Sequence, residues 1–214
     1  GTWNVPMIRS SMFSDIENLD VLCELLALTD ENIKNTVILE YGLNCTVSAK
    51  YNSSKGRYIG VLLKSNTEFV VNGTISLQPN NLANYEIVYL GSVKNVTISG
   101  HGGIIGDLDS HTGPTGEWGM GISIMKSNNI DIIGVSVQNC WGDLIYIGSN
   151  SSDVNISRCT LRRGRRQGIS VVYGNLINVE YCRIYDIYGA DPQAVIDLEP
   201  NSGETVENVT FIHN

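Results

Sequence analysis

Apolar and polar residues alternate along the chain in short runs that recur. GMGISIM from Gly119, GDLIYIG from Gly142, RQGISVV from Arg166 and QAVIDLE from Gln193 align on Ile122, Ile145, Ile169 and Ile196, at spacings of 23, 24 and 27 residues. A second set repeats beside it: NIDIIGVSV from Asn129, DVNISRCTL from Asp153 and LINVEYCRI from Leu176, with VKNVTISG from Val93 and ENVTFIH from Glu207 in the same style. Each run is short, alternating and rich in Ile and Val, which predicts strands. No amphipathic helix fits between them. The class is therefore all-β, with rungs of two or three short strands stacked as a parallel β-solenoid, because a rung buries its inner face only against its neighbours. Ile122, Ile145, Ile169 and Ile196 form one inward ladder, and Ile124, Ile147, Val171 and Leu198 the next. Cys159 over Cys182 is a further ladder position, which makes these cysteines packing residues.

The start of the chain breaks the pattern. Asp15 to Ile33 carries Leu19, Leu22, Leu25, Leu26 and Leu28 at helical spacing, and predicts one amphipathic helix. An open solenoid end invites strand pairing, so the helix is expected to act as a cap. This divides the chain into residues 1–54, a segment with the capping helix and a first strand, and residues 55–214, the rungs. The sequence stops within a rung at Asn214, so the native protein is expected to continue.

Composition narrows the function. The chain has 214 residues, 42% hydrophobic and 17% charged, with a net charge of -8. An acidic chain is a poor general partner for nucleic acid, even though Arg162, Arg163, Arg165 and Arg166 cluster. No apolar run is long enough to span a membrane. Three histidines without ligand spacing argue against zinc. Asp107, Asp109 and His111 lie in a glycine-rich excursion, read as an acidic loop rather than a calcium site, and no cofactor is expected.

GGIIGD, EWGMGISI, NCWGDLIYIGS and RRQGISVV resemble the right-handed parallel β-helix proteins of the pectin-lyase-like superfamily, over roughly residues 55 to 214. That superfamily includes polygalacturonase-type hydrolases, polysaccharide lyases and phage tailspike depolymerases. The resemblance implies a polysaccharide partner met on the outer wall, and a secreted, cell-surface or virion setting. For tailspikes it implies a homotrimer. The polygalacturonase pattern has Gly-Asp-Asp before one strand and Gly-His-Gly-Ile-Ser at a later one. Here Asp143 matches one carboxylate, Leu144 replaces its partner, and Gln167 replaces the histidine.

Strand alternation then sorts the candidates. With Ile196 and Leu198 inward, Asp197 and Glu199 point outward, roughly 6.5–7 Å apart along the strand. That overlaps the spacing of two carboxyls that act on a glycosidic bond. Asp143 lies two rungs, about 10 Å, from Asp197, so it competes with that pair as the catalytic carboxylate. Tyr146 and Ser170 share the outward column of Asp197. Trp118 and Trp141 line up one rung apart, either as a groove wall or as a lid over the turn. Arg165 and Arg166, beside Asp143, Gln167 and Glu117, suggest a groove for an anionic or phosphate-bearing glycan. Arg162 and Arg163 are expected beside Asp186 and Asp191. The expected function is glycoside hydrolysis by carboxylate general acid and base. A glycan-binding fibre domain and a lyase stay open as alternatives.

Overall fold

The computed structural model describes residues 7–12 and 17–214. Its strands wind into a parallel β-helix whose walls are sheets of eight, seven and six strands. The seven-stranded sheet carries the site. Its strands Arg57–Leu62, Asn84–Gly91, Trp118–Met125, Ile145–Gly148, Gln167–Val171 and Ala194–Leu198 are stacked in parallel, and Lys50–Asn52 pairs antiparallel at one edge. The register follows the sequence repeat: Ile122 pairs with Ile145, Ile145 with Ile169 and Ile169 with Ile196. Ile122, Ile145 and Ile169 are fully buried. Leu198 has the ladder register of Val171 but is half exposed, because its strand is last in the sheet.

Corners between the walls recur in register too. Asn66, Asn95 and Asn129 adopt left-handed backbone and pass amide hydrogen bonds up the stack, Asn95 Nδ2 to Asn66 Oδ1 at 2.7 Å and Asn129 Nδ2 to Asn95 Oδ1 at 2.9 Å. Asparagine tolerates that backbone better than most side chains. The left-handed column continues through Asp153, Leu176 and Asn208. A second left-handed column holds Asn139, Arg163 and Asp186, which places Arg163 at a kink near the end of the strand Thr160–Gly164.

The helix is shorter than its leucine spacing predicts. It spans Val21–Ala27, and residues 15 and 16 of the predicted span lie outside the described residues. Asp20, left-handed with φ 66°, sets the start, and its carboxylate is taken by the Ser48 amide and hydroxyl and by Lys50. At the other end the Thr29 hydroxyl donates to the Leu26 carbonyl at 2.7 Å. Leu22, Leu25 and Leu26 join the core, whereas Leu19 and Leu28 remain outside it. The three buried leucines follow the i, i+3, i+4 spacing of one helix face, which packs against the strands Asn44–Val47 and Arg57–Leu62.

Cys159 and Cys182 are buried in the core, their thiols directed at the carbonyls of Ile132 and Ile156.

Candidate functional site

The outer face of the seven-stranded wall gathers most of the candidate residues. Ser123, Tyr146, Ser170 and Asp197 stand in one column, paired in sequence across neighbouring strands. The Tyr146 ring lies along the wall over Gly148, where a Cβ would come within 2.7 Å of it. Only glycine leaves that space.

Arg166 is the hub. Its side chain faces three carboxylates, Glu199 at 3.4 Å, Asp143 at 3.5 Å and Glu117 at 3.6 Å. All three contacts are longer than the ~2.7–2.9 Å of a tight charge-assisted hydrogen bond. The guanidinium is thus shared rather than clamped by one partner. It also links Asp143 to Glu199, two carboxylates that the sequence repeat alone treats as belonging to separate hypotheses.

Asp143 is fully buried. The Ser170 hydroxyl donates to its Oδ2 at 2.7 Å, while Oδ1 has no partner. Burial pushes its pKa from 3.8 up to about 6, against the lowering effects of Ser170 and Arg166, with the Glu199 charge adding to the rise. Desolvation disfavours the ionised form and dominates here. Beside it, Gln167, where the polygalacturonase pattern has histidine, is fully buried and donates its amide to Asp197. Glu117 and Glu199 are about half exposed, at 52% and 50% of their side chains. They are the most exposed carboxylates of the group, with Asp197 partly exposed beside them.

The remaining arginines are committed elsewhere. Arg165 lies over the Trp141 ring at 3.9 Å and donates to the Gly116 carbonyl at 2.9 Å. His111 stacks on the same indole at 4.0 Å. Two side chains therefore stack on Trp141, which is partly buried against the core at its turn. Arg162 donates to Gln138 at 2.6 Å, and Arg163 forms an ion pair with Asp109 at 2.7 Å. The expected partners Asp186 and Asp191 give way because the excursion after Ile105 folds back over the wall and brings Asp109 to the corner. Arg162, Arg163 and Arg165 thus have close partners within the fold, whereas Arg166 has only the three longer contacts.

The excursion itself is pinned from beneath. Asp107 is buried and accepts from Tyr85, from the Asn80 side chain at 3.0 Å, and lies 3.0 Å from His111 Nδ1. Its oxygens serve the loop. Among the described residues no group of three or more His, Cys, Asp or Glu side chains is arranged to hold a metal.

Trp118 is half exposed and looks into a cleft of about 490 Å³ that runs along the same wall. Tyr51, Arg57, Tyr58, Glu86 and Tyr146 also line it. Sequence reasoning missed Tyr51, Arg57, Tyr58 and Glu86, which lie on the first strands of the wall, before the regular repeat. The signal available was the near-rung spacing of Arg57 and Glu86.

A family model described as "Right handed beta helix region" matches residues 31–214. The chain is 32% identical over 180 residues to the uncharacterized protein YclG of Bacillus subtilis, covering 74% of this chain and 30% of that protein. It is likewise 32% identical over 163 residues to the SPbeta prophage-derived uncharacterized protein YorA of Bacillus subtilis, covering 65% and 28%. It thus spans under a third of the length of either relative. Among solved structures, a glycosyl hydrolase candidate from Parabacteroides merdae superposes with a TM-score of 0.71 at 16% identity, over 96% of this chain and 93% of that one. The tailspike of E. coli bacteriophage HK620, solved in complex with a pentasaccharide, gives 0.60 at 19% identity, over 75% and 30%. At these identities the likeness is one of fold.

Proposed function

The chain belongs to the right-handed β-helix family, and on that premise we propose that it is a polysaccharide-degrading enzyme, a glycoside hydrolase working on the outer wall. The observation that carries this reading is the convergence of Asp143, Glu199 and Glu117 on one loosely held arginine, with Asp143 buried and its pKa pushed up to about 6. A raised carboxyl pKa beside exposed carboxylates is the division of labour that glycosidases need. In this scheme Asp143 is the acid that protonates the leaving oxygen, reached when a substrate displaces Arg166. Glu199 is the base that activates water. Asp197, held by Gln167, orients a sugar hydroxyl, Ser170 holds Asp143 from beneath, and Glu117 holds Arg166 from its exposed side. A surface, secreted or virion setting and a trimeric assembly belong to the same proposal. So does the view of residues 1–54 as the capped beginning of the solenoid.

A second reading, a glycan-binding fibre domain without turnover, is favoured by one observation: Asp143 has no exposed surface beneath Arg166. Digestion of a panel of polysaccharides in heavy-oxygen water, followed by mass spectrometry, separates the readings. A hydrolase places one heavy oxygen in the products at each cut. A lyase leaves unsaturated ends without it, and a binding domain leaves every polymer intact.

A further inference from the structure

Resting on the hydrolase reading of the outer wall, we infer that the adjoining aromatic cleft is a binding subsite for an uncharged, hydroxyl-bearing sugar unit. The cleft floor carries two charged groups, Arg57 and Glu86, and they are paired with each other. The cleft is therefore electrically balanced. Glu86 is only 7% exposed and its Oε2 has no hydrogen-bond partner, nor does Arg57 Nε. Buried polar atoms are rarely left so. A sugar hydroxyl both donates and accepts, and suits such a pair. Both atoms are closed to solvent, so a sugar hydroxyl reaches them when the Arg57 side chain, 32% exposed, shifts on binding.

Aromatic rings surround this pair. Trp118 is 50% exposed and Tyr51 60%, and Tyr51 meets Tyr58 edge-on at 5.3 Å. Exposed indole and phenol faces suit the apolar face of a pyranose ring. Charge then selects the sugar class. Farther along the same wall four carboxyls, Glu117, Asp143, Asp197 and Glu199, gather about two guanidinium groups, Arg166 and Arg165, and the chain carries a net charge of -8. A uronate or phosphate would meet a repulsive field. Glu86 stands two strands from the strand that Asp143 precedes, and three from Ser170. At the usual strand spacing this is about 10–14 Å. A bound glycan thus runs along the solenoid axis, crossing rungs from Tyr51 to Asp143.

The test is binding of the intact chain to an array of neutral, uronate, sialylated and phosphorylated glycans, then titration calorimetry with the best neutral oligosaccharide. The expected result is binding to a neutral glycan that weakens at least tenfold in both Trp118→Ala and Glu86→Gln, with thermal melting confirming that each variant folds. Binding to acidic glycans alone, binding to none, or unchanged affinity in both variants overturns the inference. Cleavage is scored separately. Neutral binding that depends on Trp118 without any cleavage sinks the hydrolase reading and leaves the subsite. Cleavage with a KM indifferent to both substitutions does the reverse.

Discussion

Replacing Asp143 by Asn makes the protein more stable than wild type at neutral pH and about as stable in acid. The buried carboxyl has a folded-state pKa of about 6 against an ordinary value of 3.8. Between those values the folded protein keeps the proton and the unfolded chain has released it. Stability therefore falls as pH rises through this window, and is regained below pH 4. At about 1.4 kcal/mol per pH unit, a rise of this size corresponds to about 3 kcal/mol lost by pH 7. Asparagine mimics the protonated acid, still accepts from Ser170, and does not titrate. The difference in unfolding free energy between variant and wild type cancels the other titrating groups. Followed by urea denaturation from pH 3.5 to 8, it should move by about 3 kcal/mol in favour of the variant, mostly between pH 4 and 6. A difference that stays flat, or that moves in favour of wild type as pH rises, refutes the claim that burial dominates at Asp143.

Other outcomes follow from the same geometry. With Asp143 as the acid, kcat/KM loses activity above about pH 6, where the proton leaves. A rate still climbing from pH 6 to pH 8 assigns the acid elsewhere. In the core, Ile145→Ala removes a fully buried rung of the central ladder and should cost about 2–5 kcal/mol by chemical denaturation. A loss below about 1 kcal/mol would mean that the neighbouring rungs collapse into the space.

The solenoid was legible because its signal is local and repeated. Ile122, Ile145, Ile169 and Ile196 pair in the register that their spacing implies, and the outward column of Tyr146, Ser170 and Asp197 follows from alternation alone. The helix was overestimated because leucine periodicity does not record that Asp20 takes left-handed backbone and is drawn to Ser48 and Lys50. The arginine partners were misread for a related reason. Rung-to-rung reasoning sees neighbours in the stack, whereas Asp109 reaches Arg163 from an excursion 54 residues earlier in sequence. His111 reaches the Trp141 ring from that same loop. The link from Asp143 to Glu199 through Arg166 was hidden because a long side chain spans the gap that strand spacing places between them.

The central claim is that a carboxyl buried under a shared arginine does chemistry on a glycan. The most direct measurement is the initial rate of reducing-end release by Asp143→Asn on a polysaccharide that the wild type cuts. General-acid loss predicts a rate lower by about 10²–10⁴, in a variant that is folded and no less stable at neutral pH. A rate within about twofold of wild type, far below the effect of removing a general acid, contradicts the account.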